Sequence, residues 1–261
     1  MKLSPKKSLG QNFLHDPKIL DKIATAGNLK YDDVVLEVGP GTGNLTRLLA
    51  PKVQKVIAIE KDARAIEGLN IMFKNSNVEI VEGDVMKFNP SDLGLLSGNY
   101  KIVANIPYYI TSNFLRIALE NWPRPELIVL TVQNEVAQRI VSRPPKMNLL
   151  ALSVQYYAEA EIVGKISAGS FFPKPEVDSA IIRLVPKESP LSPNETKEYF
   201  ALLKSCFAEK RKQMAKVLGQ KLDISKEKVG ETLVHLGIRP DARPEILSQE
   251  QWLSLFHSLE E

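Results

Sequence analysis

Six short runs of this chain, 34–38, 56–60, 78–81, 101–105, 127–132 and 180–185, are mostly apolar at successive positions rather than at alternate ones. Most are rich in Val and Ile. A strand that is apolar on both faces has to be covered on both faces, and a parallel sheet with helices above and below it meets that condition. Helical patterns occupy the intervals. One opens at Asp16-Pro17, an N-cap followed by proline in the first turn, and others open near Asn44, Ala63, Ser112 and Asn134, with a longer one over 149–160. The alternation predicts an α/β fold: a doubly wound, mostly parallel Rossmann-like sheet.

The last run breaks the pattern. Segments 165–171 and 180–185 flank the turn-rich FFPKPEVDS with no room for a crossover helix, so they are expected to pair antiparallel at the sheet edge. After Pro186, KESPLSPNET reads as a linker, and the remainder of the chain has a helical pattern. The chain is therefore expected to divide into a cofactor-binding catalytic domain with an N-terminal arm, residues 1–186, and a small all-α domain, residues 187–261.

Composition narrows the function classes. No apolar run approaches the ~18 residues of a membrane span, and the opening MKLSPKKSLGQNF lacks a signal-peptide core. The single Cys206 excludes an internal disulfide framework and fits a reducing compartment, so a cytoplasmic protein is expected. His15, His235 and His257 are scattered, and no metal site is expected. A net charge of +3 is mild, but Lys2, Lys6, Lys7, Lys18 and Lys22 crowd the start, and Lys204, Lys210, Arg211, Lys212 and Lys216 crowd a later stretch. Two such clusters favour a polyanionic partner.

In VVLEVGPGTGNLTRLL, Gly39, Gly41 and Gly43 lie between a strand and a helix, where glycine lets a ligand approach the backbone. The dinucleotide fingerprint needs glycine at position 44, which holds Asn44, and Glu37 ahead of the turn would oppose a pyrophosphate. These two residues disfavour a nicotinamide-dependent oxidoreductase. Glu60 ends the second strand, placed for ribose hydroxyls, and Asp84 ends the third, placed for an adenine amino group. Three acids beside a glycine turn describe a pocket for an adenosyl group with a positive centre, S-adenosylmethionine.

The fourth strand runs into Asn105-Ile106-Pro107-Tyr108-Tyr109. An exocyclic adenine amine is a poor nucleophile because its lone pair is delocalised into the ring. Two acceptors that orient its N–H bonds help more than a base does. The Asn105 side-chain oxygen can be one, and the Ile106 carbonyl, held extended ahead of Pro107, the other. Tyr108 offers a face on which the purine can stack. Phe171, or failing it Phe172, is the candidate for the opposite face.

These motifs resemble the rRNA adenine N6-dimethyltransferases, and they do so in order along nearly the whole chain. They are SLGQNFL (8–14), EVGPGTGNLT (37–46), IEKD (59–62), GDV (83–85), NIPYY (105–109), QNEVAQR (133–139), FFPKPEVDS (171–179) and CFAEKRKQ (206–213). The resemblance implies that Gln11, Asn12 and Leu14 close over the cofactor, and that Gly39, Gly41, Glu60, Asp84, Val85 and Asn105 line its pocket. It is closest to the small-subunit branch, which implies N6,N6-dimethyladenosine at two adjacent adenines in the 3′-terminal hairpin loop of 16S rRNA. The implied partner is an immature 30S subunit, met by a monomer whose helical domain contacts RNA through Lys210, Arg211 and Lys212. The sister enzymes that dimethylate 23S rRNA are one alternative; a ribosome-assembly checkpoint that binds first and methylates second is another. The chain departs from the family's pattern at PPKMNLL after Arg143, and at EKRKQMAK, where paired arginines are more usual.

Overall fold

The computed structural model describes residues 3–209 and 212–260. It divides into two units: the first runs to Gln138 and resumes over Ala158–Lys187, and the second takes Arg139–Tyr157 and the chain from Glu188 onward. In the first unit the strands are β1 (Phe13–Leu14), β2 (Val34–Val38), β3 (Lys55–Glu60), β4 (Val78–Glu82), β5 (Lys101–Ala104), β6 (Leu127–Gln133), β7 (Ala158–Ile166), β8 (Phe171–Phe172) and β9 (Ser179–Pro186). Seven of them form one sheet in the order β4-β3-β2-β5-β6-β9-β7. The β2-to-β6 strands are mutually parallel, and β9 and β7 close the edge antiparallel. Helices α1 (Pro17–Ala26), α2 (Thr46–Leu49), α3 (Ala63–Met72), α4 (Thr111–Glu120) and α5 (Asn134–Ile140) alternate with the parallel strands. Asp16 and Asp62 cap α1 and α3, each accepting from the backbone N–H two residues on.

The sheet winds outward in both directions from β2 and β5, and such a switch point leaves a crevice beyond the strand ends. The antiparallel edge pair extends further than its sequence suggests. Helix α6 (Leu149–Tyr157) stops three residues short of the expected 160, and β7 begins at once. AEAEIVGKI alternates small or apolar residues with charged ones because β7 is an edge strand with one wet face, and the first residues of so short an alternation also fit the end of a helical pattern.

The second unit holds α6, α7 (Pro193–Ala208), α8 (Met214–Leu222), α9 (Lys226–His235) and α10 (Gln249–Glu260). Ser192 and Glu195 form a capping box at the start of α7. Met147, Ala151, Leu152 and Tyr156 share one core with Tyr199, Leu203, Trp252 and Phe256. That shared burial is why 139–157 belongs with the helical unit, an excursion that a division at 186/187 does not contain. Cys206 lies in this core, and burial pushes its thiol up to about 12, so it packs as a small apolar residue.

At the foot of β5, Lys101 is only 1% exposed. Its Nζ donates to Asp33 Oδ2 at 2.7 Å and to the Asn28 carbonyl at 2.9 Å, with Glu126 Oε1 at 3.6 Å. Removing the partner of a buried charge costs far more than the pair contributes. Asp33→Ala is expected to destabilise the chain by about 3 kcal/mol in urea unfolding. A loss below about 1 kcal/mol, the range of a surface pair, would show that the ammonium finds water instead.

Candidate active site

A cavity of about 730 Å³, open mouth included, lies at the switch point. Its walls come from the arm (Leu9, Gly10, Gln11, Asn12, Phe13), the glycine turn (Gly39, Gly41), the ends of β3 and β4 (Glu60, Lys61, Asp84, Val85) and the turn after β5 (Asn105, Ile106, Pro107, Tyr108). One cavity thus joins the glycine bend to the asparagine-led turn. Gly39 has φ +69°, and a Cβ on it would meet no atom within 4 Å, so the backbone is bare towards the cavity. At Gly41, φ +55°, a Cβ would approach the Phe13 ring to 3.0 Å.

The four carboxyl groups near this turn differ in state because their partners differ. Glu37 is fully buried, does not line the cavity, and leaves Oε2 without a hydrogen bond. Burial pushes it up to about 8, so it holds a proton at neutral pH. The expectation that a Glu37 charge repels a pyrophosphate is therefore corrected: a neutral carboxyl exerts no such repulsion. Glu60 is raised by burial, while its Oε2 accepts from Gly41 N–H at 2.9 Å and its Oε1 from Asp62 N–H at 2.8 Å. Asp62 is held down to about 2 by the Arg64 fork, whose Nε and Nη2 donate at 2.8 and 2.5 Å. Asp84 is lowered by Lys61, whose Nζ lies 2.8 Å from Oδ2, and Oδ1 accepts from Met86 N–H.

The arm is tied to three parts of the cleft. Gln11 Nε2 donates to Asp62 Oδ2 at 2.9 Å, Asn44 Nδ2 donates to the Leu14 carbonyl at 3.0 Å, and Asn105 Nδ2 donates to the Asn12 carbonyl at 3.3 Å. Asn44, which in the sequence marks only a departure from a dinucleotide motif, has this positive role.

Two expected residues do not line the cavity. In the β1–β8 bridge Leu14 faces Phe171 and Phe13 faces Phe172. Successive strand residues point to opposite sides, so only one of these pairs can face the cleft. Leu14 and Phe171, each 3% exposed, face the core; Phe13 lines the cavity and Phe172 is 63% exposed. Phe171 thus offers no free face to a base, and Leu14 keeps only its backbone towards the turn.

The turn after β5 is held from behind by two buried hydroxyls. The Thr131 hydroxyl donates to Asn105 Oδ1, and the Tyr108 hydroxyl pairs with Ser179 Oγ at 2.5 Å. Sequence reasoning singled out neither. A lone threonine inside the apolar run LIVLTVQ and the serine that closes FFPKPEVDS were the available signals. In the second unit, Lys210 and Arg211 lie outside the described residues, and Lys212 forms an ion pair with Glu209.

The state of Glu37 has a measurable consequence. In the unfolded chain it ionises near its ordinary 4.5, and in the folded chain it keeps its proton to about 8. Unfolding between those values releases a proton, so rising pH favours the unfolded state. The stability due to neutral Glu37 is complete below the lower value and gone above the upper one. Glu37→Gln should remove that decline, so the Tm of the variant minus that of the wild type should grow by several degrees from about pH 5 to about pH 8. Melting temperatures that run parallel over this range would contradict a buried neutral carboxyl.

The family model for ribosomal RNA adenine dimethylases matches residues 2–261. A ribosomal RNA small subunit methyltransferase A of Dehalococcoides mccartyi is 40% identical over 255 residues, 97% of this chain and 88% of the relative. One of Levilactobacillus brevis is 39% identical over 272 residues, 98% and 92%. Among solved structures, the 23S rRNA methyltransferase ErmE has a TM-score of 0.80 at 31% identity, covering 96% of this chain and 100% of its own. A dimethyladenosine transferase from Plasmodium falciparum has a TM-score of 0.79 at 30% identity, covering 95% and 98%. The fold, the cleft and the match along the full length agree: the chain belongs to the ribosomal RNA adenine dimethylase family.

Proposed function

We propose that the chain methylates N6 of adenines in the rRNA of the small ribosomal subunit, twice per base, on the immature 30S particle. What supports the small subunit over the large one is the naming of relatives at 39–40% identity against 31% for the 23S enzyme. The observation that carries the chemistry is that Asn105 and the glycine turn share one cavity, with the Asn105 amide held at both ends.

S-adenosylmethionine suits this cavity because a bare glycine backbone and acceptor groups on Glu60 and Asp84 surround it, the acceptors that a nucleoside's hydroxyl and amino groups need. Glu60 would take the ribose hydroxyls, Asp84 and Val85 the adenine, and Gln11 and Asn12 would cover the cofactor. When bound, it supplies an electrophilic methyl group. Asn105 Oδ1 and the Ile106 carbonyl accept the two N–H bonds of the target amine, which leaves its lone pair undelocalised and free to attack. No protein base is required, since the amine is neutral at the start and the proton that the methylated, cationic nitrogen sheds passes to solvent. Tyr108, fixed through its hydroxyl, presents a ring to the base, and Phe172, the accessible member of its pair, supplies a second. The helical unit, with Lys204, Lys212 and Lys216, contacts RNA phosphates.

Incubation with tritiated S-adenosylmethionine and unmethylated 30S particles, followed by mapping of the labelled nucleotides, tests this reading. Label at two adjacent adenines of the 3′-terminal hairpin is expected, and label on 23S rRNA alone would overturn the substrate. Asn105→Ala should lower transfer by about 10²-fold or more while the chain stays folded, with a Tm only modestly lowered by the freed Thr131 hydroxyl. Near-normal dimethylation by that variant would remove the orienting role.

A further inference from the structure

β6 carries one hydroxyl among otherwise apolar, fully buried positions: Leu127, Ile128, Val129, Leu130, Thr131 and Val132. Thr131 is 0% exposed. A buried hydroxyl costs stability unless it is hydrogen-bonded, and valine would fill the same volume with at least equal preference for a strand. The fold therefore has no need of this oxygen. Its hydrogen goes to Asn105 Oδ1, on the segment just beyond the neighbouring β5.

The two ends of an asparagine amide have nearly the same shape, and only their partners decide which end points where. The Asn12 carbonyl can only accept, so the end facing it is Nδ2, at 3.3 Å. The end facing Thr131 is then Oδ1, and the hydroxyl is its donor. The Asn12 tie is long and comes from the arm, whereas Thr131 sits on the sheet. We infer that Thr131 is a positioning residue: with Nδ2 directed by the Asn12 carbonyl, its hydroxyl donates to one lone pair of Oδ1 and pins the Asn105 amide with the other lone pair directed at the substrate amine. An amide turned the other way would present N–H groups to that nitrogen and occupy the lone pair needed for transfer. The second transfer depends on this most, because a monomethylated nitrogen keeps a single N–H and has one hold to lose.

The inference rests on the proposed adenine N6 chemistry, so its test has one arm that needs no turnover. In Thr131→Val, kcat on 30S particles should fall by about tenfold, the value of one well-placed hydrogen bond, with KM for S-adenosylmethionine unchanged. The product should shift from dimethyl- to monomethyladenosine, and Thr131→Ser, which restores the hydroxyl, should recover both kcat and the product ratio. In nitrogen-15 NMR the Asn105 side-chain amide should give one resonance pair in the wild type and Thr131→Ser, and a doubled or exchange-broadened pair in Thr131→Val. A Thr131→Val enzyme with wild-type kcat and product ratio overturns the inference. So does one whose loss Thr131→Ser fails to repair, which would mark a packing role, or an unchanged amide signal in Thr131→Val. If the wild type methylates no adenine, the proposed function falls, and the amide signal still decides the role of Thr131.

Discussion

The Asn105 amide is gripped by two elements that lie far apart in the sequence. Its Nδ2 is bonded to the arm at Asn12, and its Oδ1 to β6 at Thr131. The turn itself begins where β5 ends, and β5 is anchored at its other end by the buried Lys101–Asp33 pair. A strand rises about 3.3 Å per residue, so the two anchors lie about 13 Å apart along one rigid segment. The first is a buried ion pair that sets where the strand starts; the second is a polar clamp that sets where its last side chain points. Proline at 107 and the Tyr108–Ser179 bond carry the constraint two residues further.

The electrostatics of the cleft depend on partners rather than on the count of acids. Glu37 keeps its proton because burial leaves one of its oxygens with no donor. Asp62 and Asp84 are ionised, but each faces a cation, Arg64 and Lys61. Glu60 sits between two backbone N–H groups, which favour its charged form while burial opposes it. The field at the cavity is weaker than four carboxylates would give, and ligand choice rests mainly on hydrogen-bond acceptors at fixed places. Charge alone is thus a poor guide to the ligand in a cleft of this kind, and the acceptor geometry at Glu60, Asp84 and Asn105 is a better one.

The inner strands of the parallel sheet were legible because burial on both faces imposes near-continuous apolar runs, which few other structures require, whereas the edge strand β4, VEIVE, is only partly buried. The placement of Glu60, Asp84 and Asn105 at strand ends followed from those runs without further information. Sequence could not give the face of a two-residue bridge: nothing in NFLH or SFFP tells which of two neighbouring aromatics points inward until β1 and β8 are paired, and a one-residue choice moves Phe171 and Phe172 to opposite sides. Nor could it assign 139–157 to the helical unit, since that depends on Met147 and Tyr156 meeting Tyr199 and Trp252 more than 40 residues away in sequence. Thr131 was visible as a polar residue in an apolar strand, yet its meaning depends on the register between β5 and β6 that puts it near Asn105.

The arm shows how the same molecule combines a fixed site with an accessible one. Leu14 packs into the core opposite Phe171 and anchors the C-terminal end of the arm. Ahead of it, side-chain hydrogen bonds to the cleft join Gln11 to Asp62 and Asn105 to Asn12, while the Phe13 ring packs beside Gly41 and Leu3 packs against the Ala65, Leu69 and Phe73 cluster. Hydrogen bonds of this kind contribute about 1 kcal/mol each net of solvation, far less than the burial that holds the sheet. Residues 9–13 are thus held less firmly than Leu14, whose opening would expose core apolar surface. The division falls at a single residue, because alternation along β1 gives Phe13 to the cleft and Leu14 to the core. The side of the cavity formed by the arm rests partly on weak polar ties, and the side carrying Glu60 and Asn105 is built on buried strands.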